Sequence, residues 1–381
     1  MTLTEKIKLK ALDLGFVKVG ITTADDFDDY INELKSRKNY EFLIDKGEKS
    51  SIIMGSKPKS VAKEAKSIIS IIYSYSHMDF PEKLIDKVGR AYQARCYIPK
   101  ADNINGARLE LFKEFLRKNN INPLIVPDLP ERAVAARAGT ITYGKNNFAY
   151  ADGYGSFIIL YSVPIDAKLD YDKATSVSKC PEKCNLCIEA CPTNAIYSPG
   201  KLDPHRCIGY NNWMAGKRGI ASDYFIPHDI RDKIGSRIHG CDVCQSVCPR
   251  NIVPLKRAVV KDPFLEKIAD KYDLENILEL SDEYYNAVIE PIMYNYIRDF
   301  KYFRRNAAIA MGNSRDEKYL PALKRAMENN GSYVKEYVAW AIGKIGGTDA
   351  RTILEESLCI EDDPRVVNEI ESALKIIKLH K

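Results

Sequence analysis

The sequence contains no apolar run of the ~18–20 residues that a membrane helix needs. Its best candidate, Ile68–Tyr73, has only the length of a buried strand. The opening stretch, MTLTEKIKLKALDLGF, carries charges where a secretory signal would need an apolar core, so a cytoplasmic protein is expected. Charge of one sign is lacking too: 57 Lys and Arg against 52 Asp and Glu leave +5, with a pI near 8.5. That balance is compatible with a nucleic-acid partner but does not require one, because such binding usually leaves a clustered basic patch and a higher pI. Cysteine is nearly absent over most of the chain. Only Cys96 and Cys359 lie outside residues 180–248, and eight of the ten lie within. In a cytosolic chain this argues against a disulfide framework and for metal or redox chemistry in one place.

What is present suits a globular protein of two or three domains: 381 residues, 45% hydrophobic and 29% charged. Residues 1–170 read as an α/β domain. Helix-then-strand pairs are expected at Leu3–Leu14 with Phe16–Ile21 and at Val61–Lys66 with Ser67–Tyr73. A third helix, Ala107–Lys118, precedes Pro123–Val126, and Ser156–Val163 is another strand-length run. The alternation predicts a partly parallel sheet with helices packed on it. In residues 171–258 the periodicity gives way to cysteine and proline, and a metal centre must supply stability that a small core cannot. Residues 259–381 read as helical. Asn306-Ala-Ala-Ile-Ala-Met-Gly312 matches Tyr337-Val-Ala-Trp-Ala-Ile-Gly343 at an offset of 31, and Ser372-Ala-Leu-Lys375 follows Trp340-Ala-Ile-Gly343 by 32. Small residues recurring at this period suit stacked helical hairpins of the HEAT type. Charges in residues 301–381 nearly balance, 14 basic against 12 acidic, so no basic tract stands out there.

The cysteines fall into two runs, Cys180-x3-Cys184-x2-Cys187-x3-Cys191-Pro192 and Cys207 with Cys241-x2-Cys244-x3-Cys248-Pro249. In a C-x2-C-x2-C-x3-C-P run, three thiolates hold one cubane and the fourth crosses to the other. Applied here, Cys180, Cys184, Cys187 and Cys248 take one 4Fe–4S cluster. Cys191, Cys207, Cys241 and Cys244 take the second. The proline after each crossing cysteine turns the chain from one centre to the next. The competing reading is a pair of four-cysteine zinc sites, which lack the C-x3-C-P crossing. Pro181-Glu182-Lys183 makes the first spacing x3 where x2 is usual, a wider loop. Two linked cubanes form an electron wire and carry out no bond chemistry alone, so a second centre is expected to receive the electrons.

With these motifs on view, the sequence resembles the epoxyqueuosine reductases, cobalamin-dependent enzymes related to reductive dehalogenases. The resemblance runs through Gly15-Phe16 and Val19-Gly20, Glu131-Arg132-Ala133, Arg137-Ala138-Gly139, Gly144-Lys145-Asn146 and Gly155-Ser156. Its most specific part is His239-Gly240-Cys241-Asp242-Val243-Cys244-Gln245 with the upstream run. It implies an α/β N-terminal cobalamin-binding domain, a ferredoxin-like double 4Fe–4S module and an all-α HEAT-like repeat C-terminal domain. The implied activity is reduction of an epoxide on a modified base in a tRNA anticodon stem-loop, the last step of queuosine synthesis, with electrons from an external donor. An acid must protonate the departing oxygen, since expelling an alkoxide is costly.

The resemblance places that acid at Asp128, in a desolvated pocket that keeps it protonated; the alternative is a surface turn residue between Pro127 and Pro130. It places cobalamin against Asp128, Lys145, Asn146, Ala149, Ser156 and Leu160, with Lys145 alternatively a solvated lysine. Arg304, Arg305, Lys324 and Arg325 are candidates for tRNA phosphate contacts. This sequence departs from the family around the active site. The stretch after Asp128 is shortened, Cys96-Tyr97-Ile98 stands where Asp-Tyr-His is usual, and Gly209-Tyr210-Asn211-Asn212 replaces Ser-Tyr-Leu-Thr. Cys96 reads either as a buried core thiol or as a ligand contact. Two other functions fit the residues: a reductase of this architecture with a different, small substrate, and a ferredoxin-like electron carrier whose flanking domains dock proteins.

Overall fold

The computed structural model describes residues 1–38, 40, 44, 50–175, 178–213, 224–294 and 298–379. The chain divides into two compact units. One comprises residues 1–79, 94–203 and 243–260; the other comprises 80–93, 204–242 and 261–381.

The first unit is built on a three-stranded sheet of β1 (Lys18–Thr23), β2 (Ser67–Ser74) and β3 (Ile158–Ile165), in the order β1-β2-β3. The central strand, SIISIIYS, is buried along its whole length, as its β-branched residues suit. Both pairings are antiparallel, with Gly20 opposite Ser70 and Ser70 opposite Ser162. The partly parallel sheet expected from helix–strand alternation is therefore not formed. Alternation fixes direction only where a helix makes a crossover between neighbouring strands. Among its described residues the β1–β2 connection carries only short helices, and β2 returns against β1. The helix expected at Val61–Lys66 is instead a single turn, Pro58–Val61, and Pro123–Val126 forms one isolated bridge, Pro123 to Ile165.

Two helices match the sequence closely. Helix α1 (Leu3–Asp13) opens with a capping box between Thr2 and Glu5, and α2 (Ile104–Lys118) starts at Asn103, whose side chain accepts from the Gly106 N–H. A seven-residue helix, α3 (Glu131–Arg137), sends Val134 into the core with Phe27, Ile68, Val126 and Leu129.

The second unit is helical among its described residues. Its stacked part contains α4 (Phe300–Ser314), α5 (Leu320–Asn329), α6 (Ser332–Ile345), α7 (Gly347–Leu358) and α8 (Pro364–Leu379). The repeat read in the sequence is the contact surface itself. A Cβ on Gly312 of α4 would lie 2.8 Å from the Ala341 Cα of α6, and one on Gly343 of α6 would lie 2.4 Å from the Ala373 Cβ of α8. The helices approach this closely because the facing residues are small.

Candidate functional site

Within the first unit, Cys180, Cys184, Cys187 and Cys248 line one cavity of about 270 Å³, part of it open to solvent. Local structure brings them there. Cys184 N–H donates to the Pro181 carbonyl at 3.1 Å, Cys187 sits in the helical turn Leu186–Glu189, and Cys248 caps the helix Pro249–Lys256 with Pro249 at its first position. The Cys187 thiol is pushed above its ordinary pKa by burial, then by the charges of Cys248, Cys180 and Cys184. The four sulfurs thus lie within electrostatic reach of one another. Soft donors that oppose one another's ionisation fit a cationic iron core, which would relieve the repulsion. Among the described residues, no three His, Cys, Asp or Glu side chains close around a position for a single ion.

The loop joining β-residues Thr142–Tyr143 to Ala149–Tyr150 reaches this cavity. The Lys145 ammonium donates to the carbonyls of Pro181 (3.1 Å), Glu182 (2.6 Å) and Cys184 (2.9 Å), closing the widened x3 loop. Asn146 is buried and its amide donates to the Tyr150 hydroxyl at 2.8 Å and the Cys244 carbonyl at 3.0 Å. Ser156 joins the same system: its hydroxyl donates to Gln245 at 2.8 Å and its N–H donates to Asn251 at 2.9 Å. A Cβ on Gly155 would meet the Asn251 side-chain oxygen at 2.2 Å. Three residues that the resemblance sets against cobalamin therefore hold cysteine segments through their side chains. Spacing in the sequence carries no sign of this, because the partners lie 36–98 residues away.

Ala149 and Leu160 have a different setting. Both belong to an apolar cluster with Ile72, Ala135, Ile141 and Ile158, in which Leu160 is only partly buried. Ala149 is 7% exposed, so it packs in the core, and of the two only Leu160 is open in part to further contact.

Asp128 lies at an exposed turn with φ +49°, between the buried residues Val126 and Leu129. Asp tolerates this left-handed conformation better than most residues. The desolvated setting expected for it is not found; the buried flanks push the apex outward. A carboxyl with that character lies three residues on. Glu131 accepts from the Ser162 hydroxyl of β3, and burial raises its pKa to about 7 against the opposing pull of Ser162 and Lys100. In the sequence Glu131 stands out only within Glu131-Arg132-Ala133, because the burial of its carboxyl depends on Ser162, 31 residues away. Cys96 is buried with Asn105 as hydrogen-bond donor at 3.7 Å, and burial lifts its thiol to about 12. At neutral pH it is an un-ionised core thiol.

In the second unit, Cys207 and Cys241 lie on adjoining segments: a Cβ on Gly209 would be 3.9 Å from the Cys207 sulfur and 3.6 Å from the Cys241 nitrogen. Helix α4 holds these segments. Arg305 is fully buried and donates to the Asn211 carbonyl at 2.9 Å, while Asn306 donates to the carbonyls of Asn212 (3.0 Å) and Ile238 (2.8 Å). Arg305 is thus removed from the set of phosphate contacts. Arg304 donates to the Leu280 carbonyl, Lys324 pairs with Glu356, and Arg325 pairs with Glu279 and Glu275. The last three are exposed pairs, worth little individually and open to exchange.

Residues 179–251 match the family of 4Fe-4S double cluster binding domains, and residues 291–375 match HEAT repeats. The epoxyqueuosine reductase of Bacillus subtilis is 29% identical, over 99% of this chain and 96% of that protein. A solved structure of that enzyme, with its catalytic aspartate loop swung out of the active site, superimposes with a TM-score of 0.81 over 98% of this chain and 99% of that one. An epoxyqueuosine reductase solved with an epoxyqueuosine-modified tRNA-Tyr stem loop is 28% identical, with a TM-score of 0.81 over 99% of both chains. The likeness runs from end to end, through sheet, cysteine runs and helical repeats alike: along its whole length the chain is similar to the epoxyqueuosine reductases.

Proposed function

We propose that the chain is an iron–sulfur and cobalamin-dependent reductase that converts epoxyqueuosine to queuosine in a tRNA anticodon stem-loop. The observation that carries the proposal is the cavity bordered by Cys180, Cys184, Cys187 and Cys248, the four thiols that the crossed spacing groups together. In this reading Cys191, Cys207, Cys241 and Cys244 hold the second cluster, and electrons enter from an external donor. The functional division is residues 1–170 for cobalamin and substrate, 171–258 for the clusters and 259–381 for the helical repeats.

Cobalamin would supply a low-potential metal centre for the epoxide, bordered by the apolar surface of Ala149 and Leu160 and by the backbone of Lys145, Asn146 and Ser156. The protein's own residues do the rest. Asp128 delivers a proton to the departing oxygen, and its exposed turn must close over the substrate to do so. The relative solved with its catalytic aspartate loop swung out supports such a movement here. Cys96, an un-ionised core thiol, gives no support to a changed reaction.

The test has two arms. Anaerobically reconstituted protein should retain corrinoid through gel filtration, and tRNA from a deletion strain should lack queuosine until the gene is restored. Normal queuosine in the deletion strain would remove the tRNA substrate. Absence of bound corrinoid would leave an electron carrier.

A further inference from the structure

His239 is a fully buried imidazole, and neither ring nitrogen has a hydrogen-bond partner among the described residues. Its position is closely fixed. Its backbone N–H donates to the Lys87 carbonyl at 3.1 Å, and its backbone carbonyl accepts from Gly89 at 2.8 Å. The ring stands edge-on to Tyr92 at 4.4 Å between centroids and lies against Phe303 of α4 at 5.9 Å. Asn306, three residues along the same helix, holds the preceding Ile238 carbonyl. The next residue, Gly240, has φ +80°, and a Cβ there would come within 2.7 Å of the Tyr92 ring. Only glycine lets the chain turn there so tightly against Tyr92 and run directly into Cys241.

Either neutral tautomer of this ring carries one N–H. A buried donor left unbonded costs about 1–3 kcal/mol, so an orphan held this firmly calls for an acceptor that the protein does not itself provide. Along the chain the neighbouring acceptor chemistry is sulfur: Cys241 is two residues on, and the Cys207 segment adjoins Cys241. We propose that His239 donates its N–H to a sulfur of the cluster that Cys207 and Cys241 help to hold, and thereby sets the potential of that cluster. The proposal rests on the two-cluster reading above. Reduction adds negative charge to the cluster, and a donor aimed at its sulfur stabilises the reduced form, raising the potential.

The test uses the whole chain, reconstituted anaerobically with iron and sulfide and titrated potentiometrically with EPR detection. His239→Phe keeps a ring in the wedge but removes the N–H; one of two midpoint potentials should fall and the other should stay. His239→Gln, which retains an N–H, should recover part of the shift. Loss of about half the iron from His239→Phe alone would support the same contact, read as retention of the cluster. Full iron content with both potentials unmoved would overturn the proposal, as would equal iron loss from both variants, which marks a packing role. Only about four irons in the unsubstituted chain would overturn the two-cluster reading and this proposal together.

Discussion

Two carboxyls three residues apart have opposite settings, and each predicts a different behaviour. Burial raises Glu131 from 4.5 to about 7. An acid raised on folding favours the folded state fully at pH below about 4.5, and that contribution is lost as pH climbs through 7. Glu131→Gln has no proton to lose. The unfolding free energy of the wild type relative to this variant should therefore drop by on the order of 1–3 kcal/mol between about pH 5 and pH 8. A difference that stays flat over that range would place the carboxyl in water. Asp128 is tested by turnover. Asp128→Asn should bind corrinoid and reduce normally, yet turn over at least ~100-fold more slowly, the lower end for a lost general acid. Near-normal turnover on epoxyqueuosine tRNA would move the acid elsewhere. Asp128 could be picked out from the sequence as the only carboxylate in its stretch. Its exposure matches the alternative reading of a surface turn between Pro127 and Pro130; the choice between the two could not be read, because the flanking burial of Val126 and Leu129 arises from partners as distant as Phe27 and Ile68.

At the scale of elements, the helical repeats were the most legible part of the chain. Recurring small residues mark where backbones touch, and Gly312 and Gly343 sit at those points. Gly343→Val should destabilise the protein by about 1–3 kcal/mol in chemical unfolding, since the added atoms meet Ala373 across a close-packed contact. The sheet was less legible. Strand positions could be read from β-branched runs, but strand direction depends on the connection between β1 and β2, whose described residues form no crossover helix. Helix α4 also changes the meaning of its arginines. Arg305→Ala should loosen the Asn211 segment and increase iron loss during gel filtration, while leaving the salt dependence of tRNA binding unaltered. A shallower salt slope with full iron content would return Arg305 to the phosphate contacts.

For the whole molecule, the cysteine spacing assigns eight thiolates to two clusters, and anaerobic protein should hold about eight irons and eight sulfides. Cys191→Ser should remove the same spectroscopic signal as Cys207→Ser, and the double variant should lose no more than either alone. Loss instead of the signal that Cys180→Ser removes would refute the crossed assignment. This pattern was readable because ligand spacing is local and chemically restrictive. The side chains that hold the cysteine segments in place, Lys145, Asn146, Ser156 and Arg305, were not readable, since each acts on backbone far away in the chain.

Lys145 supplies a single ammonium to three carbonyls of one loop. That arrangement makes the loop vulnerable at one atom. Acylation of the amine would remove the charge and most of the donors together, leaving Pro181, Glu182 and Cys184 to find water instead. On the two-cluster reading, a reagent that never touches sulfur would then expose the cluster of Cys180, Cys184, Cys187 and Cys248 to oxygen, tying the chemical lifetime of that centre to a lysine as much as to its cysteines.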